Sequence, residues 1–218
     1  NLIDFIGTDT KDGFEMFGDS DEAYRIAGGS ESLPEAVHRV IDGRVNVQTA
    51  HALSSVAMDG AGLKLTFRNG KREYEHVICA IPFTRLRLVD GWDRLPLSGE
   101  KKRVIREMTH GMNVKSMWGW KSRAWRKAPL PGSESFCNGG VIISQGYQQL
   151  WETSRGQKGS AGILTNFMGG DTAVDFRQTK ASDRRFLVEI VDTFPSLDGT
   201  HDGRRAVMNW PQMKWALS

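Results

Sequence analysis

A chain of 218 residues with 39% hydrophobic and 25% charged side chains has enough apolar material for one large or two small packed bodies, which excludes a disordered segment. No apolar run approaches the roughly 20 residues that span a bilayer, and the net charge of +3 is spread over short basic pairs interleaved with acids, which argues against a nucleic-acid stripe. Two cysteines, Cys79 and Cys137, and five scattered histidines make neither a disulfide framework nor a zinc cluster.

Residues 1–27 are turn-rich, and the Gly28-Gly29 pair frees the backbone for positive φ or a close approach. "SESLPEAVHRVI" then starts with Ser, carries Pro34 in its first turn and repeats apolar residues at helical spacing. Alternation at Val45 and Val47, and again at Leu63, Leu65 and Phe67, predicts strands with "DGAG" and "RNGK" as tight turns. The continuous apolar run "HVICAI" ending at Pro82 predicts a buried strand. A helix capped by Ser98 is predicted within Leu95–Met108. Further strands are predicted in "NVKSMWGWK", "GGVIIS", "YQQLWETS" and "GILTNFMGG". The stretch "ASDRRFLVEIVDTFP" predicts an amphipathic helix with Ser182 as cap, Phe186, Ile190, Val191 and Phe194 on one stripe, and Pro195 closing it; "RRAVMNW" begins as a strand.

One residue stands out in this pattern. Lys115 sits among methionines and tryptophans in a strand that reads as half-buried, and a lysine ammonium is rarely buried without a partner. It either reaches solvent or faces a wet cavity. The carboxylates Asp21, Glu22 and Glu152 have no spacing that pairs them on one face, so surface or loop-capping roles are expected of them. Trp118, Trp120, Trp125, Trp151, Trp210 and Trp215 read first as core, although flat rings also suit a planar ligand. G-x-G-x-x-G, G-x-x-x-x-G-K-[ST], G-x-S-x-G and H-E-x-x-H are all absent. The start "NLIDFIG" and the end "NWPQMKWALS" fit a proteolytic product, a subunit of a processed precursor or an incomplete chain.

Taken in order, "EAYRIAGGSESLPEAV", "VICAIPFTRLR", "GMNVKSMWGWKSRAWR", "LWETSRGQKGSAGILTNFMGG" and "NWPQMKWALS" resemble the FAD-dependent amine oxidases, which include monoamine, polyamine and L-amino-acid oxidases. The resemblance runs over nearly the whole chain. Its "WETSRGQ" and "GILTNFMGG" pieces are most similar to bacterial L-amino-acid or monoamine oxidases. It implies an α/β (α+β) fold: part of an FAD/NAD(P)-binding domain plus a mixed-sheet substrate domain, both assembled from discontinuous segments. Residues 1–27 would be a substrate-domain tail, 28–84 a middle segment of the FAD domain, 85–207 the substrate domain and 208–218 a return to the FAD domain.

The resemblance further implies that Lys115 faces the flavin and is linked through water to its N5 atom, where a positive charge assists reoxidation by O₂. Gly28, Gly29 and Ser30 match a segment that passes close to the flavin, and Ala80, Ile81 and Pro82 match an exit near the cofactor. His51 falls where the family has an apolar residue near the adenine. Trp210 matches an aromatic beside the flavin, and Trp215 a second aromatic walling the substrate. The implied chemistry is oxidation of an amine or L-amino acid to the imine, with O₂ reduced to H₂O₂. The implied partners are the small-molecule substrate, O₂ and the chains or segments that carry the G-x-G-x-x-G motif and the C-terminal flavin segment, in an oligomer; the isolated chain is expected to hold FAD poorly. Two other readings share the architecture: a desaturase or protoporphyrinogen-oxidase-like relative, and a scaffold module without cofactor.

Overall fold

The computed structural model describes residues 7–9, 13–15, 24–127, 129, 132, 134, 137, 140–142 and 146–216. The chain divides into two compact units, residues 1–107 and 108–218.

In the first unit, the short antiparallel pair β1 (Gly7–Asp9) and β2 (Gly13–Glu15) precedes α1 (Ser32–Ile41). Gly28 and Gly29 form the turn before α1 with φ of +87° and +94°, a conformation that needs glycine. The apolar stripe of α1 is uncovered: Leu33, Val37 and Val40 are all more than half exposed. A meander of β3 (Leu53–Asp59), β4 (Gly62–Phe67) and β5 (Gly70–Tyr74) comes next in the chain, and both expected hairpin turns are present. Its buried Val56 and Leu65 pack with Val89, Trp92 and Ile105. Those partners come from the segment that runs through α2 (Phe83–Leu86), a 3₁₀ turn at Trp92–Arg94 and α3 (Gly99–Glu107). Ser98 Oγ accepts the Lys101 N–H at 3.2 Å, as its predicted capping role requires. Residues 85–107, expected from the sequence to belong with residues 108–207, thus share a core with the meander.

Two strand expectations fail here. Residues 43–48 and 75–82 form no strand, and Val45, Val47, Val77 and Ile78 are exposed, Ile78 at 98%. An apolar run becomes a buried strand only where neighbours take up its N–H and C=O groups, and among the described residues none pairs with "HVICAI".

The second unit is a five-stranded sheet of β6 (Asn113–Trp120), β7 (Gly140–Ile142), β8 (Gln149–Glu152), β9 (Gly162–Gly169) and β10 (His201–Asn209). Its order is β10-β6-β9-β8-β7, antiparallel at each pairing. α4 (Gly170–Asp175) follows β9, and α5 (Lys180–Thr193) comes next. The cap of α5 is Thr179 rather than Ser182. Thr179 Oγ1 accepts the Ser182 N–H at 3.0 Å, and Ser182 Oγ accepts the Thr179 N–H at 2.9 Å, so Ser182 is the inner member of a reciprocal capping pair.

Phe186, Ile190 and Phe194 bury against Trp118, Trp120, Leu150 and Leu164, with Trp118 stacked on Phe186 at 4.9 Å between centroids. Strand alternation assigns these sheet residues to one face. Val114 and Met168 on the same face pack on Ala173 of α4. The opposite face of the sheet contributes no described member to these clusters.

Candidate active site

Lys115 projects from that opposite face. The register sets it directly across from Phe167 of β9 on one side and Met208 of β10 on the other, with Gln149 of β8 beyond Phe167. One row along, Met117 stands opposite Thr165 and Ala206, and Thr165 opposite Trp151. The Lys115 Nζ lies 5.4 Å from the Trp151 ring centroid, 5.5 Å from Phe167 and 5.6 Å from Trp210. Trp151 and Phe167 meet edge to face at 5.8 Å.

Each ring attracts the ammonium through its electron-rich face, worth about 0.5–2 kcal/mol apiece depending on desolvation. Rings accept no conventional hydrogen bond, however, and none of the ion pairs among the described residues involves Lys115. Its three N–H donors are therefore available to water or to a bound group. A cation with no ion-pair partner among the described residues, half-buried among flat rings on a sheet face, suits a planar, electron-rich ring system at which negative charge accumulates.

What holds β8 in this position lies on its other face. Glu152, next to Trp151, is 5% exposed, contrary to the surface role expected of it. Trp125 Nε1 donates to Oε2 at 3.0 Å, Arg126 Nε donates to the same oxygen at 2.6 Å, and Ser154 Oγ donates to Oε1 at 3.2 Å. Arg123 Nε lies 3.0 Å from Oε1. Arg123 also donates to the carbonyls of Ser154, Gln157 and Gly159, fastening the loop after β8. Trp125 is fully buried, and Gly162 lets β9 approach it: a Cβ there would sit 2.6 Å from the indole and 2.7 Å from Arg123 Cγ. Elsewhere in this unit, burial pushes the Tyr147 phenol above its ordinary pKa, its hydroxyl donating to Thr193 at 2.7 Å. The Arg204 guanidinium holds the Asp202 carboxyl below its ordinary range.

Of the residues singled out from sequence, the structure brings Lys115, Trp151 and Trp210 together. Trp215 is 58% exposed, with Lys214 Nζ 4.7 Å over its own ring. Gly28, Gly29, Ser30, Ala80 and Pro82 are exposed residues of the first unit, and Ile81 is half-buried there. The Pro82 carbonyl accepts the Arg85 and Leu86 N–H groups that start α2. His51 is held locally: its Nδ1 is 2.8 Å from the Thr49 carbonyl, its Nε2 2.9 Å from Asn69 Nδ2, and its ring lies edge-on to Phe67. Sequence reasoning missed Phe167. A phenylalanine in a strand reads as generic core, and only the register across β6 and β9 brings it to the lysine.

The sequence pattern of the flavin containing amine oxidoreductases matches residues 6–218. A flavin-dependent L-tryptophan oxidase from Lentzea aerocolonigenes is 29% identical over 156 residues, covering 68% of this chain and 30% of that protein. The wild-type putrescine oxidase bound to putrescine superposes with a TM-score of 0.67 at 14% identity, over 88% of this chain and 41% of that one. The cyclohexylamine oxidase from Brevibacterium oxydans IH-35A gives a TM-score of 0.66 at 15% identity, over 94% and 42%. The chain thus spans under half the length of each. With nearly every residue inside the family pattern and the same fold in both structures, the chain belongs to the flavin containing amine oxidoreductases, whose cofactor here is FAD.

Proposed function

We propose that this chain forms the Lys115-bearing part of an oxidase that converts an amine or L-amino acid to its imine. Water then hydrolyses the imine to an aldehyde or 2-oxo acid and ammonia, and O₂ is reduced to H₂O₂. The observation that carries this reading is the ammonium of Lys115, without an ion-pair partner among the described residues, placed among Trp151, Phe167 and Trp210. FAD, when bound, would supply the redox chemistry: a hydride acceptor for the carbon that bears the nitrogen and a route for electrons to O₂. Lys115 would direct its N–H donors toward the bound flavin and would stabilise the negative charge that builds on oxygen. Trp210 is assigned beside the flavin, and Trp215 to the aromatic wall that orients the amine. Gly28, Gly29, Ser30, Ala80, Ile81 and Pro82 are assigned to the cofactor's surroundings; the open backbone of the Gly28-Gly29 turn supports that assignment.

The test is oxidation by the protein that carries this chain, loaded with FAD. Substrate added without oxygen bleaches the flavin absorbance near roughly 450 nm, and air restores it with one H₂O₂ per turnover. A protein that binds no flavin is the scaffold alternative, and one whose flavin bleaches but yields no H₂O₂ is a dehydrogenase or desaturase.

A further inference from the structure

β10 is the edge strand that leads into Trp210, and among the described strands it pairs with β6 alone. Its pairing contains a bulge: His201 stands opposite Trp120 and Arg205 opposite Trp118, so four steps along β10 match two along β6. Gly203 takes the bend at φ of +85°, and Asp202 accepts hydrogen bonds from the Arg204 backbone N–H at 2.8 Å and from its Nε at 2.9 Å. Beyond the bulge the register runs on to Met208 opposite Lys115 and Asn209 opposite Val114. Trp210 follows, its ring 5.6 Å from the Lys115 Nζ.

Such a bulge has a direct competitor. Pairing without it slides β10 by two residues, sets Ala206 instead of Met208 opposite Lys115, and carries Trp210 about 6–7 Å from its place at strand rise. Side chains alternate with period two, so the same faces stay inward and apolar patterning does not decide between the two registers. Arg205 does. In the observed register its guanidinium lies 5.3 Å over the Trp118 ring and pairs with the carboxylate of Asp183, in the first turn of α5. Both partners are held in place: Trp118 stacks on Phe186 of α5 and donates from Nε1 to Ser116 Oγ at 2.7 Å, and α5 is capped by Thr179 with Ser182. In the bulge-free register Arg205 falls opposite Ser116, two residues along β6 from Trp118. We infer that Arg205, held by Asp183, is a positioning residue that selects the bulged register of β10 and so sets Trp210 beside Lys115. The choice of register stands on geometry; its bearing on turnover rests on the oxidase reading above.

Fluorine NMR of the FAD-loaded protein labelled with 5-fluorotryptophan reads the register at Trp210, whose line is assigned with Trp210→Phe. Arg205→Met, which keeps a chain on Trp118 without the charge, and Asp183→Asn each move about a tenth to a half of the intensity into a second Trp210 line. Asp183→Glu restores the single line, and kcat/KM for H₂O₂ formation falls by the share that the native line loses. Deleting Gly203 and Arg204 removes the competitor, because Arg205 then reaches Trp118 without a bulge; in that background Arg205→Met leaves the Trp210 line single. A single, unshifted line in folded Arg205→Met and Asp183→Asn overturns the inference, as does a second line that appears equally in the deletion background. Should both single variants fail to fold, the deletion background carrying Arg205→Met decides: a folded protein with one Trp210 line supports register selection, and failure there too makes Arg205 a plain anchor and overturns it. Wild-type protein that forms no H₂O₂ from any amine or amino acid sinks the oxidase reading, while the fluorine spectra still decide the register.

Discussion

Lys115→Met slows the oxygen half-reaction of the FAD-loaded protein by about 10²–10³-fold, the usual cost of removing one preorganised electrostatic group from a developing anion. Reduction by substrate in the absence of oxygen changes by less than about tenfold, because in the proposed role the Lys115 charge would meet the anion that forms on oxygen rather than the hydride-transfer step. Methionine is the informative replacement. It has nearly the length of lysine and packs favourably on Trp151, Phe167 and Trp210, so the cage stays filled while the charge and the three donors go. Lys115→Arg separates charge from shape: a bulkier, weakly hydrated cation retains part of the oxygen reactivity. The two half-reactions are read separately by stopped-flow absorbance. Equal slowing of both, or of neither, would falsify the placement of the lysine at the flavin.

Glu152→Ala lowers the stability of the protein by about 3–5 kcal/mol, the range for breaking a buried ion pair at one partner. Its carboxylate side chain is fully enclosed, and the groups that converge on it are two guanidiniums, an indole N–H and a hydroxyl. Removing the acid leaves the largely buried Arg123 and the part-exposed Arg126 without their shared counter-charge, and leaves the buried Trp125 N–H without its acceptor. The effect reaches the other face of the sheet. Glu152 and Trp151 are neighbours on β8 and point to opposite sides, so a strand that loses its anchor misplaces the ring nearest the lysine. Urea unfolding checks the loss. The exposed pair Arg103–Glu107 on α3 is the control, and Glu107→Gln leaves the transition where it was.

Local chemistry was legible in the sequence where local rules decide the structure. The β3–β5 meander follows from alternation and two glycine turns, and α3 from Ser98, because turn and cap geometry involve only residues a few positions apart. The "HVICAI" run was misread because its apolar character matches a buried strand, yet pairing is a property of neighbours that a run does not contain. Thr179 escaped notice as a cap for a smaller reason: Ser182 is an equally good capping residue, and both members of the reciprocal pair contribute oxygens.

The site divides in the same way. Lys115 was visible because an ammonium in an apolar strand violates an expectation, and such violations mark function. Its cage was only partly visible: the resemblance put Trp210 at the flavin, but Trp151, Phe167 and Trp210 stand 36, 52 and 95 positions away, brought to it by antiparallel register and by the turn that follows β10. Glu152 was misjudged for want of the same information, since its ion-pair partner Arg126 is 26 residues upstream. No spacing rule connects a strand carboxylate to a guanidinium across that interval. Solvation had been the sounder expectation for an acid with no visible partner.

A crystal structure of the FAD-loaded protein tests the central claim most directly. It is expected to show Lys115 Nζ and the Trp210 ring against the flavin ring system, the ammonium joined to the flavin through a single water. Lys115 turned to bulk solvent, with the flavin ring lying away from the β6–β9 face, would contradict the account.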